Sequence, residues 1–209
     1  MNTRPLTAVR SLLLIATLLA PPIAHAHHAM GNATPATLFQ GLVSGLAHPV
    51  IGIDHLLFVL AVGAAGYFFG RRVGLPVAFV AGTLAGTGMH LYEATLPYAD
   101  AWVALTIVAL GALFTFGARL LRSGAALALF AVGGLIHGYA YGEAIVGAEA
   151  TPLVAYLVGF ALVQLAIAFG AYVVTQHAAR EGRGAALARP IGAALSLAGV
   201  VFLASAIWV

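Results

Sequence analysis

Cysteine is absent from the 209 residues, and lysine is absent too, so all nine basic residues are arginine. Without thiols the chain forms no disulfide, no iron–sulfur cluster, no thiolate metal site and no c-type haem attachment. Methionine is scarce, at three, which excludes a thioether-rich copper(I) site. Charge is scarcer still. Only 7% of residues are charged while 62% are hydrophobic; a soluble domain carries roughly a quarter charged residues. The composition is that of a membrane protein whose principal partner is the lipid bilayer. The net charge of +3 is spread along the chain without a basic face, so nucleic acid is excluded as a partner.

What is present begins with a secretion signal. Arg4 and Arg10 form a basic leader, Ser11 to Ala20 is an apolar run too short to span, and Ala24-His25-Ala26 is a small-x-small cleavage site. Residues 1–26 are thus expected to be a signal peptide. The remainder, 27–209, is expected to be one all-α transmembrane domain whose mature N-terminus, beginning at His27, lies outside the cytoplasm.

Loops of turn residues or charge divide that remainder into six apolar spans of roughly 20 residues, the length a bilayer core requires. They run over about 49–70, 73–96, 99–121, 124–147, 152–176 and 189–209. A shorter apolar stretch, Thr34 to Ala47, precedes them and reads as an interfacial or re-entrant half-helix ending at His48-Pro49. Arg71 and Arg72, Arg119 and Arg122, and Arg180, Arg183 and Arg189 fall in alternate loops. The positive-inside rule places those loops in the cytoplasm of a bacterial-type inner membrane, with both termini outside. The signal peptide leads to the same orientation independently. Gly82 and Gly86, and Gly134, Gly138 and Gly142, follow the small-xxx-small spacing that lets helices approach closely.

Polar groups inside the spans cost several kcal/mol unless they line a path or pair with one another. His48, Asp54 and His55 lie at the start of the first span, His90 and Glu93 near the end of the second, and His137, Tyr141 and Glu143 late in the fourth. At a rise of about 1.5 Å per residue, all of them fall toward the same, arginine-free end. On a continuous helix His48 and His55 would stand ~10 Å apart, so a break at His48-Pro49 is needed to bring them together. His90 and Glu93, at i, i+3, are expected to share a helical face. Imidazole with carboxylate and no thiolate suits nickel, cobalt or zinc. His27 is a further candidate ligand.

Two motifs carry a family resemblance. "HPVIGIDHLLFVLAVG" resembles the H-P-x-x-G-x-D-H signature of the HupE/UreJ family of membrane nickel transport proteins, and "HGYAYGEAIVG" resembles that family's H-G-x-A-H-G-x-E motif. The resemblance covers the whole mature chain. It implies six spans, uptake of nickel or cobalt ion as cargo, no prosthetic group, and functional roles for His48, Asp54 and His55 in the first motif and His137 in the second. Tyr141 stands where the family pattern usually has His, and Glu143 is one position earlier than its usual acid. A phenol, with a pKa of about 10, is the poorer nickel ligand.

The expected function is inward movement of a divalent transition metal along a path lined by His and carboxylate, with no enzymatic step. Two alternatives stand beside it: an intramembrane metal-dependent hydrolase, against which the lack of an H-E-x-x-H arrangement counts, and an accessory protein that binds metal for a partner.

Overall fold

The computed structural model describes residues 33–179 and 184–208. The expected signal peptide, His27, Arg180 and Arg183 lie outside the described residues. The described chain is all-helical: α1 Leu38–Ile51, α2 Ile53–Phe68, α3 Gly74–Leu91, α4 Ala99–Phe116, α5 Ala118–Arg122, α6 Ala125–Gly142, α7 Ala150–Ala178 and α8 Gly184–Trp208. A single 3-10 turn, Glu143–Ile145, follows α6. Helices α3, α4, α6 (counted with its 3-10 turn), α7 and α8 are each long and apolar enough to cross a bilayer. Helices α1 and α2 meet that criterion only taken together, as a pair bent by 81° at the one residue between them. Their outer surfaces are apolar, with Leu60, Val77, Leu84, Val154, Val158 and Leu162 exposed, as a multi-pass membrane protein requires.

The break in the first span is not where the sequence suggested. Pro49 sits inside α1, and the helix runs on to Ile51. Gly52 is the hinge, with φ −73 and ψ 102. Proline in the last turn of a helix removes one internal hydrogen bond and weakens the turn; the glycine three residues on takes the extended conformation. A Cβ on Gly52 would come 2.6 Å from Cδ2 of His55, so a side chain there would displace the ring. Helix α1 also packs closely in the bundle. Gly41 packs on Pro152, Gly45 on Tyr156 and, beyond the hinge, Gly63 on Ala168. The contacts advance along α7 in chain order, so α1, the expected half-helix, and α2 both pack on the same partner helix.

Other ends also shift. Helix α3 stops at Leu91, before the expected 96, and Glu93 adopts a left-handed φ of 58; Pro97 disfavours a helical Leu96. Glu93 has therefore left the helical face of His90. Gly117 interrupts the third span, leaving α5 as a separate turn. Helix α8 begins at Gly184 and carries Pro190 inside it, rather than starting at Arg189.

Three helix pairs build the bundle, each through small residues. Helices α3 and α6 run parallel, with Gly82 facing Ala131, Gly86 facing Leu135, Gly134 facing Phe79 and Gly138 facing Thr83, backbone against backbone. In α4 and α8, Gly111 meets Ser196 and Gly199 meets Val108. The third pair is α1 with α7. In lipid, where apolar side chains gain nothing by leaving the solvent, such close approach supplies the dispersion contacts that hold helices together. A layer of Phe58, Phe79 and Phe130 fills the interior between the pairs, Phe58 stacking on Phe79 at 5.2 Å.

Candidate metal-handling site

Around the Gly52 hinge the fold gathers three imidazoles from three separate elements. His48 from α1, His55 from α2 and His137 from α6 are 2%, 3% and 0% exposed. Burial this complete demands that each ring nitrogen be accounted for.

Counting protons assigns the tautomers. Nδ1 of His55 is 2.8 Å from Nδ1 of His137, and Nε2 of His137 is 2.9 Å from Oγ1 of Thr106. The one Thr106 hydroxyl proton goes to the Val103 carbonyl at 2.6 Å. Thr106 must then accept from His137 Nε2–H, which leaves His137 Nδ1 as the acceptor of His55 Nδ1–H. The same count holds at His48. The Tyr156 hydroxyl donates to the Tyr141 carbonyl at 2.9 Å and lies 3.1 Å from Nδ1 of His48. It therefore accepts from His48 Nδ1–H. Metal-binding histidines are oriented in this way, by a hydrogen bond at the opposite nitrogen.

The rings of His48 and His55 stand 6.1 Å apart, centre to centre. With metal–nitrogen bonds of about 2.0–2.1 Å, two imidazoles on one ion reach at most about 6.4 Å between centroids, so the pair is within span of a shared cation. Tyr141 packs against both, at 5.0 Å from His48 and 4.4 Å from His55. Its hydroxyl is buried with no hydrogen-bond partner, and an unmet buried polar group costs about 1–3 kcal/mol. An ion or its water shell between the two histidines would meet that hydroxyl. Among the described residues no three His, Asp or Glu side chains stand close enough to hold one ion together. A cation held between His48 and His55 would complete its coordination with water or further ligands.

Asp54 stays beside the cluster, close enough to act on Tyr141, while His90, Glu93 and Glu143 stand outside it. Asp54, half-buried in the first turn of α2, accepts the His55 backbone N–H on Oδ1 at 2.8 Å. There its charge favours the positive end of the half-helix. His137 has both ring nitrogens engaged, so in this conformation it positions His55 rather than facing an ion. His90 packs on Tyr139 at 4.5 Å and its buried Nδ1 lacks a partner, but it stays apart from the cluster. Glu93 and Glu143 are exposed. Thr106 and Tyr156 were not legible in the sequence. Both residue types are common in apolar spans and carry no charge penalty, so nothing singled them out.

The role of Thr106 is testable. In Thr106→Val the His137 Nε2–H loses its acceptor and the tautomer of the whole relay is released. Loss of such a supporting hydrogen bond typically lowers metal affinity or activity by about 10–100-fold. Metal affinity of purified Thr106→Val, measured by titration, is expected to fall in that range while the protein accumulates normally. Unchanged affinity would refute the relay.

Comparison with known proteins agrees with the sequence motifs. Residues 15–202 match the family described as HupE / UreJ protein. The chain is 31% identical over 193 residues to Protein HupE of Rhizobium leguminosarum bv. viciae, covering 90% of this chain and 94% of that protein. No solved structure matches the chain significantly.

Proposed function

The chain belongs to the HupE/UreJ family, and from that premise we propose that it is a permease carrying a divalent transition metal ion, nickel or cobalt, inward across the bacterial-type inner membrane. The observation that carries the reading is the gathering of the buried His48, His55 and His137 at the Gly52 hinge, with the Tyr141 ring packed among them. Broken spans that place ligands beside half-helix termini are a recurring transporter device, since the partial charges of the termini assist ion binding. Neutral imidazole suits nickel and cobalt and discriminates against magnesium, which prefers oxygen.

The cation would shed part of its water onto His48 and His55, with the Tyr141 hydroxyl beside it, and leave inward when the bundle rearranges. An inside-negative potential is worth about 4.6 kcal/mol to a divalent ion per 100 mV, enough for accumulation by a passive permease. In proteoliposomes with an imposed potential, radiolabelled nickel and cobalt are expected to enter well above empty vesicles, and magnesium is not. Magnesium uptake with exclusion of nickel and cobalt would defeat the reading.

Orientation follows from the arginine loops. Reporters fused after Arg72, Arg122 and Arg183 are expected to read cytoplasm, and those after Asp100 and Val209 the outside. A cytoplasmic C-terminus would contradict six crossings.

A further inference from the structure

Helix α7 carries a polar residue that the site does not use. Gln164 is fully buried, and its Nε2 lies 3.1 Å from the Phe160 carbonyl and 3.4 Å from Oγ1 of Thr83. The Thr83 hydroxyl proton is committed to the Val80 carbonyl at 2.8 Å, so Thr83 offers Gln164 only lone pairs. Both neighbours are acceptors, and the amide must turn its NH2 toward them. That fixes the flip of the amide and leaves Oε1 buried with no hydrogen-bond partner. A glutamine serving only to tie α7 to α3 needs no such orphan acceptor. An amide oxygen receives a donor or a cation and repels an anion.

Its place along the helix gives the orphan a meaning. Tyr156, Phe160 and Gln164 follow one another at i, i+4 and i+8 on one face of α7. Tyr156 holds His48, and Phe160 packs on Tyr141 at 5.6 Å. Gln164 lies about 12 Å along the helix from Tyr156, toward the arginine-loop end.

We propose that the Gln164 amide oxygen is the inner station of the permeation path, receiving the partly hydrated cation after it leaves His48 and His55. The inference rests on the permease reading above. A neutral amide oxygen holds nickel or cobalt more weakly than imidazole does, so affinity falls in the direction of travel and the ion is released rather than trapped.

The test compares the wild-type protein with Gln164→Met, which keeps length and bulk but has no oxygen, and Gln164→Glu, which keeps one. Two quantities are read: the cobalt(II) absorption spectrum of the purified protein, which reports imidazole ligation at the hinge, and initial rates of nickel uptake into proteoliposomes. In Gln164→Met the spectrum and the KM are expected to stay within two-fold of wild type while the maximal rate falls at least ten-fold. Gln164→Glu is expected to recover at least a third of the wild-type rate. A wild-type rate in Gln164→Met, a lost cobalt spectrum, or equal loss in both variants would each overturn the inner station. An inert wild-type protein would instead overturn the permease reading itself.

Discussion

His55→Ala is expected to abolish nickel and cobalt uptake, by at least 50-fold per unit of membrane protein, with the protein present at near-normal level. The ring does two things at once. On the proposed path it is a ligand at the hinge, and its Nδ1–H supplies the proton that His137 accepts at 2.8 Å. Removing it would delete one of the two imidazoles of the proposed site, and no group of three His, Asp or Glu among the described residues stands ready to hold the ion instead. The loss leaves the buried His137 Nδ1 without its donor, a cost of about 1–3 kcal/mol, offset in part because a polar ring is taken out of an apolar interior. Asp54→Ala is expected to follow it, since the carboxylate anchors the first turn of α2 through the His55 N–H. The check is uptake of labelled metal normalised to immunoblotted protein in the membrane. Full uptake in both variants would show that the hinge is not on the metal path.

The second large effect is on the fold. Gly138→Leu is expected to prevent the protein from accumulating. A Cβ there would strike the Thr83 backbone, its Cα at 2.5 Å and its carbonyl carbon at 2.6 Å as well as its oxygen. Backbone atoms in a packed helix cannot step aside as a flexible side chain can. Overpacking a core usually costs about 1–3 kcal/mol, and a clash with main chain belongs at or above the top of that range. The Thr87 hydroxyl, which donates to the Gly138 carbonyl at 2.8 Å, would be lost with the contact. Gly88→Ala, on the same α3 helix but with nothing within 4 Å of the added carbon, is the control and should be neutral. Membrane level and melting temperature in detergent read the difference. A Gly138→Leu protein that accumulates and melts like wild type would remove the α3–α6 seam from the account of stability.

Much of this protein was decided locally, in properties that a single segment carries. Apolar length determined the crossings, the alternation of arginine loops determined which ends of the spans lie together, and the spacing of Gly82, Gly86, Gly134 and Gly138 marked the surfaces that meet. His48, Asp54 and His55 stood out because charge and imidazole are costly in lipid. What tertiary structure alone decided is where the chain bends and what each ring nitrogen does. Proline pointed to His48-Pro49, yet the hinge is Gly52, because the His55 ring packs where a Cβ would otherwise sit. His90 and Glu93 looked like one face, but the helix ends between them. The tautomers depend on bonds between residues 82 and 108 positions apart, supplied in part by Thr106 and Tyr156, whose types carry no signal in an apolar span. Hydropathy and period are sums over neighbours in the chain. A proton shared between helices depends on which acceptor the fold brings within 3 Å or so, and that is settled only when the bundle closes.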